Sequence, residues 1–126
     1  NGIRLSEKEL EDIFDTSWLG NTCEELASGV EKLGFLSEVV ENFTLQSLKE
    51  TLNRGIPIIA LLDPVVLYGG LQGFGHFVII IGLEQNVIYY HDPDMGIELA
   101  KDVQLFFTAW EKFSLKGVTI WKSTQK

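Results

Sequence analysis

A single cysteine, Cys23, leaves this chain without an internal disulfide and without a cysteine-based metal cluster. Only two histidines stand beside it, and no potential ligands recur at helical or knuckle spacing, so neither a metal nor another cofactor is expected. Basic residues are also scarce. Ten Lys and Arg against eighteen Asp and Glu give a formal net charge of −8 and a pI near 4.6. A surface of that sign repels phosphate backbones, which argues against nucleic acid as a partner and leaves room for a basic peptide. Long apolar runs are missing too. The two longest, residues 56–62 and 77–83, are seven residues each, against the ~20 of a bilayer-spanning helix. No basic-then-apolar stretch opens the sequence in the manner of a signal peptide, and the compartment stays open.

What the chain does have is apolar mass. Of its 126 residues 45% are hydrophobic, enough for one core and too few for two, so a single domain over residues 1–126 is expected. The first half carries helix signals. Ser6-x-x-Glu9 is a capping-box pattern opening a run in which Leu10, Ile13 and Phe14 share a face. Thr22-x-x-Glu25 is a second, followed by Leu26, Val30 and Leu33 and closed by Gly34. Thr44 caps a third helix through Leu45, Leu48 and Leu52, stopping near Asn53–Gly55.

The second half changes period. Residues 56–62 read as a buried strand with Pro57 near its start. Residues 63–75 hold four glycines, Gly69, Gly70, Gly73 and Gly75, and read as a mobile loop. Residues 76–83 and 87–92 flank Glu84-Gln85-Asn86 as a hairpin, and Asp92-Pro93-Asp94-Met95-Gly96 is turn chemistry. A helix follows from Asp102, with Leu105, Phe106, Ala109 and Trp110 inward, then a last strand around residues 118–121. Helices followed by mostly antiparallel strands make an α+β domain.

The hairpin is where chemistry is legible. If Leu83 faces Val87 across a three-residue loop, Val78 falls opposite Asp92, and His76 becomes the diagonal neighbour of Asp92 on the same face. A register shifted by two makes them directly opposite. Either way an imidazole and a carboxylate meet at a strand end beside the glycine-rich loop. Such an aspartate holds one ring nitrogen and orients the other toward a reacting group. By itself such a pair is more often a structural hydrogen bond or a solvated pair, and Asp92 before Pro93 also reads as a turn residue. His91 alternates to the other face and is the poorer candidate. Phe77, Tyr89 and Tyr90 read as core and hairpin packing, and Phe74 as the aromatic residue placed to line a substrate groove.

The strings Gly75-His76-Phe77-Val78-Ile79-Ile80-Ile81-Gly82 and Val87-Ile88-Tyr89-Tyr90-His91-Asp92-Pro93 resemble the C39 and C39-like peptidases, a papain-like family. Leu5-Ser6-x-x-Glu9-Leu10, Asn21-Thr22-Cys23-x-x-Leu26-Ala27 with Leu33-Gly34-Phe35, and the stretch from Phe106 to Trp110 are similar to further segments of it. The resemblance implies a papain-like fold with helices packed on one side of an antiparallel sheet. It also implies thiol-dependent peptide hydrolysis, with His76 as general base and Asp92 as its orienter. Substrates in that family often carry a double-glycine cleavage site.

The family's Gln-x5-Cys element, which supplies the oxyanion donor and the nucleophile, would lie before Asn1. The resemblance therefore implies a chain that is catalytically silent by itself. It also implies an apolar sheet face open to self-association or to the missing segment. Cys23, at the start of a helix whose dipole favours thiolate but flanked by Glu24 and Glu25, is read as a half-buried structural residue. Gln72 is read as polar loop surface. Two other classes stay open: a C39-like domain without catalysis that grips a peptide or protein, and a papain-like amidase or acyltransferase.

Overall fold

The computed structural model describes residues 6, 8, 9, 11–13, 15, 22–69, 75–93 and 95–122. In chain order the elements are α1 (Cys23–Lys32), β1 (Leu36–Val40), α2 (Leu45–Asn53), β2 (Ile58–Leu62), α3 (Pro64–Tyr68), β3 (His76–Glu84), β4 (Val87–Asp92), β5 (Gly96–Asp102), α4 (Val103–Glu111) and β6 (Gly117–Trp121). Ahead of α1, residues 11–13 are helical as well.

The capping residues explain where the helices begin. Ser6 Oγ accepts from Glu9 N–H at 3.0 Å while Ser6 N–H donates to Glu9 Oε1 at 2.9 Å, the reciprocal arrangement that its sequence predicts. Thr22 Oγ1 caps Glu25 N–H at 3.0 Å. Thr44 caps Ser47, and α2 stops at Asn53 as expected. The helix expected from Asp102 is α4, whose cap accepts from Gln104 N–H at 2.9 Å. The loop expected over residues 63–75 is in part a helix: Asp63 caps Val65 N–H at 2.9 Å and Pro64 opens the first turn, where its missing N–H costs nothing. Gly70, Gln72, Gly73 and Phe74 lie outside the described residues, as do Leu10 and Phe14.

All strand pairs are antiparallel, in the spatial order β1-β6-β2-β3-β4-β5. Two of these strands were not foreseen. β1 is short and half polar, and β5 carries Glu98, Ala100 and Lys101, residue types with little strand preference. Gly117 lets β6 slot between β1 and β2: a Cβ there would meet Ile59 O at 2.8 Å.

Helices lie on both faces of the sheet, where one face was expected. On the first, Leu48 of α2, Leu67 of α3 and Phe106, Ala109 and Trp110 of α4 pack on Ile58, Ala60, Val78, Ile80, Ile88 and Tyr90. On the second, Cys23, Leu26 and Val30 of α1, with Ile13, pack on Ile59, Phe77, Ile79, Val118 and Ile120. Each fully buried aliphatic or aromatic side chain contributes roughly 1.5–3 kcal/mol, so both layers matter to the fold. The expected uncovered apolar face is not found among the described residues of the central strands. β2 and the first half of β3 are buried on both sides, and among the described side chains of the sheet the exposed large apolar ones are Leu36, Ile81 and Tyr89. Among the described residues no helix is long and apolar enough to cross a membrane.

Candidate functional site

The turn joining β3 to β4 is two residues, Gln85 and Asn86, both left-handed with φ of 51° and 68°. Two-residue turns of this hand match the right-handed twist of the strands they join. Glu84 therefore faces Val87 and Leu83 faces Ile88, one step from the expected pairing across a three-residue loop. Carried through unbroken, that register would place Ile79 opposite Asp92 and turn His76 to the other face.

The ladder is not unbroken. Between Ile80 and Gly82 the register shifts, so that beyond Ile81 the pairs are Ile80 with Tyr90 and Ile79 with His91. Ile81 is an extra, unpaired residue, a β-bulge, and 40% exposed. The side-chain pattern records the switch. Leu83, Ile80 and Val78 all pack on the first face, which strict alternation would not allow. Continued one step past Ile79 and His91, this register sets Val78 opposite Asp92 and puts His76 and Asp92 on the same face.

Their side chains meet. His76 Nε2 lies 2.7 Å from Asp92 Oδ1, with the imidazole 16% exposed and the carboxylate 0%. Asp92 Oδ1 also accepts from Met95 N–H at 3.2 Å, so the residue closes the turn at the end of β4 as well as binding the ring. Asp92 Oδ2 accepts from Tyr68 Oη at 2.7 Å, and Tyr68 Oη contacts Tyr90 Oη at 2.9 Å. Burying a carboxylate is costly unless hydrogen bonds replace its water, and here three donors converge on it. Because a carboxylate only accepts, the imidazole carries its proton on Nε2, and the ring's basic nitrogen is Nδ1. Burial, followed by hydrogen bonding, pushes the Tyr68 phenol far above its ordinary range, so it stays a donor.

Tyr68 and Tyr90 were missed as members of this cluster. Tyr90 is read from sequence as core packing, which it also is: it meets Phe106 edge-on with centroids 5.2 Å apart. Tyr68 falls in the segment read as a loop. The signal that finds it is Asp63-Pro64, a helix cap and first turn that place Tyr68 one turn later.

His91 points to the other face, as expected. Its Nδ1 accepts from Glu98 N–H at 2.9 Å, and burial lowers its proton affinity, with Glu98 acting weakly against that. It is a structural histidine at the bulged β4–β5 contact, where Glu98 is left-handed. At Gly75, beside His76, a Cβ would come within 2.8 Å of Leu61 Cδ1 and 3.0 Å of Phe113 Cζ, so those side chains would have to shift. Among the described residues no three His, Cys, Asp or Glu side chains are grouped to hold a metal ion.

Cys23 is 1% exposed, more buried than expected, and belongs to the second face, across the sheet from His76. Burial pushes its thiol up to about 11, with Lys116 acting against the rise and Glu24 and Glu41 adding to it. Relative to an ordinary cysteine that is roughly a hundredfold less thiolate at neutral pH. Iodoacetamide at pH 8 is expected to label Cys23 at least about a hundredfold more slowly in the folded chain than in urea. Equal rates would place the thiol in solvent.

The sequence model of the Peptidase C39 like family matches residues 12–118. Among solved structures, a crystal structure from Bacillus anthracis, provisionally named a C39-like peptidase, superposes with a TM-score of 0.64 at 16% identity, a likeness of fold. The match covers 79% of this chain and 58% of that one, so the chain spans less than two thirds of its neighbour's length. No curated protein matches.

Proposed function

The chain belongs to the Peptidase C39 like family, and we propose that it is the histidine- and aspartate-bearing part of a papain-like thiol peptidase domain. His76 is the general base and Asp92 its orienter. The observation that carries this reading is the 2.7 Å contact between His76 Nε2 and a carboxylate with no exposed side-chain surface. An imidazole pinned through Nε2 exchanges its proton at Nδ1. There it takes the proton from a thiol as the thiolate attacks a peptide carbonyl, and returns it to the leaving amine. Asp92 holds the tautomer and balances the imidazolium that forms in between.

The thiol is not Cys23, which packs on the opposite face of the sheet. Residues 1–126 contain no other cysteine, so this reading requires a nucleophile from outside them. The substrate is a peptide, and cleavage after a double glycine is part of the proposal on the strength of the family resemblance alone.

The test is a peptide-cleavage assay on two preparations. Residues 1–126 by themselves are expected to show no turnover. A longer form carrying a Gln-x5-Cys element is expected to cleave, and to lose at least about a hundredfold of its kcat on His76→Ala. Turnover by residues 1–126 alone, or a longer form indifferent to His76→Ala, would overturn the reading.

A further inference from the structure

We propose that Tyr68 is a positioning residue for this site: its hydroxyl fixes the outer oxygen of Asp92 so that the inner oxygen stays on His76. The inference deepens the reading of His76 and Asp92 as base and orienter, and rests on it.

Asp92 Oδ2 receives the Tyr68 hydroxyl at 2.7 Å, while Oδ1 receives His76 Nε2 at 2.7 Å and Met95 N–H at 3.2 Å. A phenol has one proton to give. Tyr68 has committed its own to Asp92, so the 2.9 Å contact with Tyr90 is donated by Tyr90. The chain of donors runs from Tyr90 to Tyr68 to Asp92, and every link points at an ionised carboxylate. A proton on Oδ2 would face the Tyr68 proton and force both phenols to turn.

The placement of Tyr68 is rigid for local reasons. It is the last residue of α3, a helix started by the Asp63 cap and Pro64 and anchored by buried Leu67. Gly69 then leaves the helix at φ 77°, its N–H bonded to Val65 O at 2.8 Å. Among the described residues, titratable or charged groups facing Tyr68 and Asp92 include His76 on β3, Tyr90 on β4 and Lys101 on β5, whose Nζ lies 5.4 Å from the centre of the Tyr68 ring. Had packing been the only demand, phenylalanine would fill the space as well.

Tyr68→Phe makes that distinction, since it keeps the ring and removes the hydroxyl. Carboxyl 13C titration of this chain should show Asp92 binding a proton about ten- to a hundredfold more tightly in the variant, the range for losing one donor to a charged acceptor. Long-range 1H–15N spectra should show less of the Nε2-protonated tautomer of His76. Tyr90→Phe keeps the Tyr68 bond to Asp92 and removes only its support, so the Asp92 midpoint should rise by less, about two- to fivefold in affinity. In a form of the protein that turns over, Tyr68→Phe should lower kcat and leave KM alone.

A folded Tyr68→Phe with an unmoved Asp92 midpoint overturns the proposal. If that variant does not fold, Tyr90→Phe decides, and an unmoved midpoint there overturns it equally. The two readings fail separately. An unmoved midpoint with His76 still essential removes Tyr68 alone, whereas a moved midpoint with His76→Ala fully active removes the peptidase reading.

Discussion

Replacing Asp92 by alanine is expected to lower the stability of this chain by about 2–5 kcal/mol, because it strands buried hydrogen-bond donors at about 1–3 kcal/mol each. The size follows from what is left behind. The Tyr68 hydroxyl and the His76 ring lose their acceptor where the Asp92 side chain has no solvent-exposed surface, while Met95 N–H keeps its 3.3 Å bond to Asp92 O. Each orphaned buried donor costs about 1–3 kcal/mol, and partial collapse of the site keeps the total below the sum. Asp92→Asn separates stability from chemistry. Its amide oxygen still accepts, so the loss should be smaller, about 1–2 kcal/mol. Its amide nitrogen cannot balance an imidazolium, so kcat in a form that turns over should fall by about 10²–10⁴. Urea melts of the three proteins check the first claim, and peptide cleavage the second. Asp92→Ala melting within about 1 kcal/mol of the parent would mean that the donors find water and that the site is not sealed.

How much of this arrangement the sequence discloses depends on how local the governing physics is. Helix starts are written in short-range hydrogen bonds, so Ser6, Thr22, Thr44 and Asp102 announce them and the structure agrees. The partnership of His76 with Asp92 is legible because hairpin parity is also local. Yet the expectation reached the right face by a different route. It assumed a three-residue loop, and the chain uses a two-residue turn plus a bulge at Ile81, each shifting the pairing by one. Two errors of one residue cancelled. Nothing in a run of three isoleucines marks which of them leaves the ladder.

Contacts made across the sheet stayed hidden for a different reason. Tyr68 reaches Asp92 from a helix 24 residues earlier, and that distance is set by tertiary packing of α3 on α4 through such contacts as Asp63 N–H to Ala109 O at 3.0 Å. The second layer of helices was equally invisible. Amphipathic faces on α1 and α2 show that each packs on something, and no periodicity says on which side of the sheet.

The bulge leads to the other large effect. Inserting a fourth isoleucine into Ile79-Ile80-Ile81 is expected to break the contact between His76 and Asp92 and to cost about 3 kcal/mol or more, whereas deleting one of the three should keep the contact. What holds the register of β3 decides the outcome. Ordinarily a one-residue slip exposes a strand's apolar set, and that cost fixes the pairing. Here it does not. Val78 and Ile80 are buried on the first face and Phe77 and Ile79 on the second, so a slip exchanges apolar side chains for apolar side chains. What a slip cannot exchange is His76. Turned to the second face, it would leave Asp92 short of one donor beneath the helices, the loss of a buried partner that typically costs 3–5 kcal/mol. The polar pair, more than the apolar pattern, therefore selects this register.

Deletion acts differently because β3 already has one residue to spare. With two isoleucines the ladder can run unbroken from Glu84 to His76, the pairs beyond the old bulge are unchanged, and stability should move by no more than about 1 kcal/mol. The tautomer of His76, read from long-range 1H–15N spectra, together with urea midpoints for both variants, tests this. An insertion that keeps the Nε2-protonated ring on Asp92, alongside a deletion that loses it, would show that the bulge itself holds His76 in place.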